Sequence, residues 1–223
     1  MRTLFITGTD TNCGKTYITC QLLEYFKQNN YKTCALKPVA TGCNLVQGEL
    51  VNDDVALIQG YQDDLRALNI NPWRYSPPIS PHIAASLVGE TITFKELADF
   101  CFNSSWQEFD YVLIEGAGGL MVPLAYSQTS NTVKTWCDFL QAYPMEIMLV
   151  VGMRLGCLNH TLLTAHAIKS QGLSCVGWIA NCLDPDMQEL NANIETLRHA
   201  LEWPLLATVH GNGKLQHLKF DAL

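Results

Sequence analysis

The chain has 223 residues, 48% of them hydrophobic and 16% charged, with a formal net charge of -7. That length can bury a sizeable core, most simply as one α/β domain spanning 1–223, and the acidic balance disfavours nucleic acid or an anionic membrane as partner, since both reward a basic face. The nine cysteines are an odd number with no two closer than seven positions, which is neither a zinc framework nor a disulfide ladder and points, with the lack of any membrane-length apolar run, to a reducing, cytoplasmic setting.

In chain order, β-rich apolar runs alternate with stretches of helical period. Thr3 to Thr7 reads as the first strand, Lys15 to Gln28 as the first helix and Thr33 to Leu36 as the second strand. The stretch Asn71 to Pro81 holds four prolines and reads as a long functional loop. Thr93-Phe94-Lys95-Glu96 is a capping-box pattern opening a helix to Cys101. Tyr111 to Ile114 follows as a strand, Thr132 to Gln141 as a helix, and Ile147 to Val151 as a strand. Asn159 to Gln171 is a helix with Gly172 at its C-terminal stop, then come strand Val176 to Ala180, helix Asp186 to Leu201 and strand Leu205 to Val209. Near-continuous apolar strands alternating with helices predict a doubly wound α/β fold: a mostly parallel sheet with helices on both faces.

On that fold the stretch from Gly8 to Thr16 carries chemistry. Gly14-Lys15-Thr16 is the second half of a phosphate-binding loop, although the usual spacing would put glycine at position 9, where Thr9 stands, and Gly8 comes one residue early. In open α/β sheets ligands bind beyond the carboxyl ends of the strands, which is where this loop falls. Loop N–H groups, the positive end of the following helix and the Lys15 ammonium would converge there on an anion. A helix that merely happens to start with lysine is the bland alternative, yet a cation is disfavoured at that end unless an anion joins it.

Two further strand ends point the same way. Asp110 to Ile114 runs into Glu115-Gly116-Ala117-Gly118-Gly119, a carboxylate at a strand end followed by glycines that let backbone approach a ligand. Lys37-Pro38-Val39-Ala40-Thr41-Gly42 puts a second lysine at the end of the second strand, suited to a phosphoryl-transfer site. Asn52-Asp53-Asp54 reads either as a helix N-cap cluster or as a source of a metal carboxylate. Ser80-Pro81-His82 reads as a helix start, with His82 as a satisfied core histidine. No nucleophile-elbow pattern and no metal-ligand pair at helical spacing is present in the sequence.

Together these motifs, with Gly156-Cys157-Leu158-Asn159-His160 and Trp178-Ile179-Ala180-Asn181, resemble the dethiobiotin synthase family from residue 3 to about residue 183. The longer phosphate loop is itself a mark of that family. The resemblance implies a P-loop NTPase-like ligase using ATP and Mg²⁺ to close a cyclic urea from 7,8-diaminononanoate (7,8-diaminopelargonic acid) and CO₂. It implies catalytic roles for Lys37, Lys15 and Thr11, and diamine or carbamate contacts from Thr41, Gly156 and Asn159. The implied nucleotide set is Asn12, Cys13, Gly14, Lys15, Thr16 and Tyr17 from the loop, with Asp54, Glu115, Gly116, Ala117, Gly118, Asn181 and Cys182. Thr16, Asp54 and Glu115 would hold the metal, Asn181 would read the adenine, and the Gly156 to His160 loop would serve a partner subunit, so a homodimer is implied. Asn12 stands where many members have Glu, and the tail Leu206 to Asn212 lacks the proline-containing stretch that usually closes over the base.

Two other readings are weaker. Cobyrinate-type amidases carry an additional glutamine-hydrolysing domain for which the chain has no room. Partition-type P-loop ATPase switches carry a further lysine early in the loop, where this chain has Gly8 and Thr9.

Overall fold

The computed structural model describes residues 1–62, 69–127, 131–211, 213–215 and 218. Its centre is a six-stranded parallel sheet in the order β12 (Leu205–His210), β11 (Cys175–Cys182), β10 (Glu146–Gly152), β1 (Arg2–Gly8), β7 (Tyr111–Gly119), β2 (Thr33–Leu36). Consecutive residues of β1, β10 and β11 are buried, which a strand achieves only when both faces of its sheet are covered. The chain winds outward from β1 to β2, returns to β7, and then crosses β1 to build β10, β11 and β12. That reversal makes the fold doubly wound.

Helix α1 (Lys15–Gln28) packs on β1, β2 and β7 through Ile18, Leu22 and Phe26. Phe26 stacks on Tyr111 with ring centroids 4.4 Å apart. Helix α6 (Cys157–Ser170) lies against β10 and against α7 (Leu190–Ala200). Around the sheet are α4 (Phe94–Cys101), capped by Thr93 as its motif predicts, and two small antiparallel pairs: β4 (Asn44–Val46) with β5 (Glu49–Val51), and β8 (Pro123–Ser127) with β9 (Thr132–Thr135).

Several expectations are corrected here. The helix expected over Thr132 to Gln141 begins only at α5 (Trp136–Ala142). Thr132–Thr135 instead pairs with β8, and Thr135 and Asp138 form a capping box that sets the new start. Asn71 to Pro81 is not all loop: β6 (Trp73–Tyr75) pairs in parallel with β3 (Val39–Thr41), and α3 (Pro81–Leu87) starts after Ser80. Helix α7 starts four residues later than expected, because Glu189 adopts the left-handed conformation (φ 54°) and breaks any helix from Asp186. Helix α6 starts two residues earlier, directly after Gly156 (φ 92°). Asn212, in the expected tail, lies outside the described residues.

Candidate active site

Strands β1, β7 and β2 are neighbours and parallel, so their carboxyl ends open at one edge of the sheet. The loops leaving them line a cavity of about 500 Å³.

The loop after β1 explains its own irregular glycine. A Cβ on Gly8 would sit 2.1 Å from the Cys13 sulfur, so the glycine is needed where the strand ends and the loop folds back over it. Gly14, at φ 87°, forms the N-cap of α1, and a Cβ there would sit 2.0 Å from the Asn181 side-chain nitrogen. Ile18 N–H donates to the Gly14 carbonyl at 3.0 Å, while the N–H groups of the preceding turn have no helical partner to reach. Lys15 is almost buried and donates to the Asp10 carbonyl at 3.1 Å. The Asp10 carboxylate accepts from Thr11 N–H at 2.7 Å and from the Arg154 guanidinium at 2.7 Å, fixing the lip of the loop.

At the floor, Lys37 joins two elements. Its ammonium donates to Glu115 Oε1 at 2.7 Å and to Asp54 Oδ2, and Thr16 Oγ1 donates to the same Glu115 oxygen at 2.7 Å. Burial alone would lower the Lys37 pKa; the carboxylates of Glu115 and Asp54 outweigh it and hold the ammonium above its ordinary value. Burial likewise pushes the Asp54 carboxyl up, but the charge and hydrogen bond of Lys37 outweigh that and hold it below the ordinary carboxylate range. Glu115 is fully buried, and its Oε2 has no hydrogen-bond partner among the described residues.

Asp54 reaches this point because Asn52 caps α2 (Asp53–Gly60). The Asn52 oxygen accepts from Val55 N–H at 3.3 Å, and its nitrogen donates to the Thr41 carbonyl at 3.2 Å. The two readings of Asn52-Asp53-Asp54 are thus compatible: one residue caps and another faces the site. Lys37 is placed by Asn71, whose buried amide nitrogen donates to the Lys37 carbonyl at 2.7 Å and to the Pro38 carbonyl at 3.2 Å. Neither Asn71 nor Arg154 carries a local sequence signal, because each acts across long separations.

The structure brings most of the expected residues to this cavity. Thr11, Asn12, Gly14, Lys15, Thr16 and Tyr17 line one side; Lys37, Thr41, Asp54, Glu115, Ala117 and Gly118 line the other. Cys13, Gly116, Asn181 and Cys182 do not reach it from their positions in the core. Gly116 packs so closely on Phe5 that a Cβ would lie 2.8 Å from the ring, and Asn181 donates to the Cys13 carbonyl at 3.0 Å while its own oxygen has no hydrogen-bond partner among the described residues. Gly156 and Asn159 are exposed at the start of α6, outside the cavity of their own chain. His82 is only partly buried; its Nδ1 and the Ser80 hydroxyl share a 3.0 Å hydrogen bond. Tyr17 donates its hydroxyl to the Gly213 carbonyl at 2.8 Å, so the chain at Gly213 lies against α1.

Chemically, Thr16, Asp54 and Glu115 could hold a hard divalent cation. Two carboxylates against one ammonium leave a formal negative charge, and the unpartnered Glu115 Oε2 is an oxygen in want of a positive partner. Among the described residues no group of three His, Cys, Asp or Glu side chains could hold a metal by itself. The fit is to an ion that takes its remaining ligands from phosphate and water.

A family model described as an AAA domain matches residues 2–218. A protein of Legionella pneumophila (strain Paris) named ATP-dependent dethiobiotin synthetase BioD is 45% identical over 223 residues, the whole of both chains. A protein of the same name from Pseudoalteromonas translucida is 43% identical over 208 residues, covering 93% of this chain and 89% of its own. Among solved structures, the cell division protein FtsY of Thermotoga maritima aligns with TM-score 0.57 at 16% identity, over 99% of this chain and 66% of that one. A ParA family ATPase of Chlorobium tepidum aligns with TM-score 0.56 at 14% identity, over 94% of this chain and 83% of that one. These likenesses show that the chain shares the fold of those structures.

Proposed function

The chain belongs to the ATP-dependent dethiobiotin synthetase family, and on the premise that it is an ATP-dependent ligase of biotin synthesis we propose the reaction it runs, its metal and its assembly. The substrates are 7,8-diaminononanoate, CO₂ and ATP. One amine adds to CO₂ and loses a proton, giving a carbamate. A carbamate oxygen attacks the γ-phosphorus of ATP and ADP leaves, giving a carbamic-phosphoric anhydride. The second amine then attacks the carbonyl carbon and expels phosphate, closing the cyclic urea of dethiobiotin.

The observation that carries this reading is the convergence of Lys15 and Lys37 on one cavity under a phosphate loop. An anionic carbamate must approach an anionic triphosphate, a repulsion of about 4 kcal/mol for unit charges roughly 4 Å apart at an effective dielectric near 20. Lys15 on the loop and Lys37 at the floor offset that repulsion where charge moves between oxygens. Loop N–H groups bind the phosphates and Thr11 adds a hydroxyl at the lip. Thr41 donates to the carbamate or the diamine. We assign Asn181 and Cys182, buried outside the cavity, to the base end on the family resemblance, and Tyr17, which lines the cavity, to the nucleotide. Thr16, Asp54 and Glu115 would hold Mg²⁺, which would supply charge neutralisation on the phosphates.

Asn159 and Gly156 face outward in their own chain, which supports their service to the diamine site of a second copy and hence a homodimer. One continuous sheet supports a single P-loop α/β domain. Nine free thiols, most of them buried, support a reducing cytoplasmic setting, and no described helix is long and apolar enough to cross a membrane. Incubation with the diamine, bicarbonate, Mg²⁺ and ATP, followed by mass spectrometry, tests the reaction. A product at the mass of the cyclic urea is expected; unchanged diamine beside ADP would sink it.

A further inference from the structure

The Lys37 ammonium lies between the two carboxylates assigned above to a divalent cation. It bonds Asp54 Oδ2 and Glu115 Oε1, and the second of these oxygens also accepts from Thr16 Oγ1. Lys37 is therefore bound to two of the three proposed metal ligands and shares an acceptor with the third. A single ammonium bridging Asp54 and Glu115 leaves one seat between them. A dication drawing on both carboxylates would come into near contact with a buried like charge, which a low-dielectric site tolerates poorly.

We propose that Lys37 holds the cation's seat and that Lys37 and the divalent ion occupy the Asp54–Glu115 pair in turn, so that metal entry drives the ammonium from the carboxylates toward the transferring phosphoryl group. The inference rests on the metal assignment made above and adds an order to it. Glu115 Oε2, buried and without a hydrogen-bond partner among the described residues, would offer an ion a carboxylate oxygen that Lys37 does not hold. An ion held by both carboxylates would leave Lys37 without its two acceptors. The stem of Lys37 is anchored at its backbone by Asn71, so what moves is the side chain and not the strand end. The arrangement makes a charged catalytic lysine available only once a metal is bound. Until then its charge is neutralised and it draws no stray anion to the floor of the cavity.

The competition has a measurable cost. If Lys37 occupies the seat nine-tenths of the time, metal affinity is lowered roughly tenfold, because only the vacated fraction is competent. Removing Lys37 removes that handicap. Removing Lys15 removes the same charge from the same cavity, but Lys15 rests on the Asp10 carbonyl and not on these carboxylates.

The test uses the intact protein with inorganic phosphate present, so that the ion finds the ligands the protein itself lacks. Mn²⁺ binding is followed by electron paramagnetic resonance for wild type, Lys37→Gln, Lys15→Gln and Glu115→Gln. In parallel, the Lys37 ammonium signal of wild type, labelled with nitrogen-15, is followed by NMR as Mg²⁺ is added. Lys37→Gln is expected to bind Mn²⁺ about tenfold more tightly, Lys15→Gln to gain far less, and the Lys37 signal to move with the midpoint of Mg²⁺ binding. Equal affinity in wild type and Lys37→Gln, equal gains in both lysine variants, or Mg²⁺ binding with an unmoved Lys37 signal would each overturn the proposal. Glu115→Gln separates the two layers: loss of binding there with no gain in Lys37→Gln sinks this inference alone, whereas unchanged binding sinks the metal assignment with it. The NMR arm needs no variant, so it decides the matter even if Lys37→Gln folds poorly.

Discussion

The side-chain amide of Asn181 donates to the Cys13 carbonyl at 3.0 Å, joining the end of β11 to the phosphate loop across 168 residues. Directly above it, Gly14 leaves no room for a side chain: a Cβ would meet that same amide nitrogen at 2.0 Å. That hydrogen bond holds the loop from below, and the glycine lets the two segments approach closely.

Asn181→Ala should cost about 1–3 kcal/mol of stability by orphaning a buried carbonyl, read from urea unfolding, and should weaken ADP binding. Gly14→Ala should abolish ADP binding, since the substitution adds a clash to a φ of 87° that only glycine takes readily. In the double variant the clash is gone and the backbone strain remains, so binding should recover only in part. Full recovery would mean that φ is not what limits the loop.

Lys37→Gln should lower kcat by roughly 10² or more, in the range for loss of a preorganised charge. The Kd for ATP should change far less, because the loop backbone and Lys15 remain. Steady-state kinetics beside equilibrium ATP binding separates the two, and an unchanged kcat removes Lys37 from the catalytic set.

The Lys37–Asp54 pair sets a pH window. The Asp54 carboxyl is held below its ordinary value of 3.8, so its contribution to stability is present above that value and lost as pH falls through the lower folded one. The Lys37 ammonium is held above 10.5, so its contribution is complete below that value and lost as pH rises through the higher folded one. In Lys37→Gln the largest cause that lowers Asp54 is gone, and burial is opposed only by the Thr16 hydrogen bond and the Lys15 charge, so the carboxyl rises relative to wild type. Relative to wild type, that variant should then gain stability as the medium is acidified through the carboxylate range. Urea midpoints across a pH series check the sign.

If Lys37 of one subunit works with Asn159 of the other, Lys37→Gln and Asn159→Ala should be nearly inactive apart and active when mixed. Random pairing of equal amounts would make half the dimers mixed, each with one intact site, restoring about a quarter of wild-type activity. No gain on mixing would return Asn159 to its own chain.

Much of this was legible before any coordinates. Residues Lys15–Gln28 and Thr33–Leu36 form the helix and strand their patterns predict, because apolar period and a glycine N-cap are local signals. Strand β7 runs on to Gly119, five residues past its apolar stretch, since Gly8 pairs there with Gly119 and no local pattern records a partner strand. Thr132–Thr135 reads as helix in the sequence because a β-hairpin arm of four residues looks like the polar first turn of the helix it precedes. Lys37 and Glu115 could be picked out because each closes an apolar run, and Lys15 because it follows the loop glycine and opens α1. Asn71 and Arg154 could not, since an asparagine under a strand bend and an arginine beside a loop are recognised only by what they touch.

The sheet order also dictates when the site can form during synthesis. Strand β1, which feeds the phosphate loop, pairs with no strand near it in sequence; its neighbours are β7 and β10, aligned at Leu4 with Leu113 and at Thr7 with Leu149. A nascent chain must carry β1 and the apolar face of α1 unsheltered until those distant strands leave the ribosome, which is the slow, aggregation-exposed route that long-range parallel pairing imposes. The Asn181 strut arrives later still. The first functional segment to be made is therefore among the last to take its shape, and ribosome-bound fragments that stop short of Gly152 should retain no nucleotide.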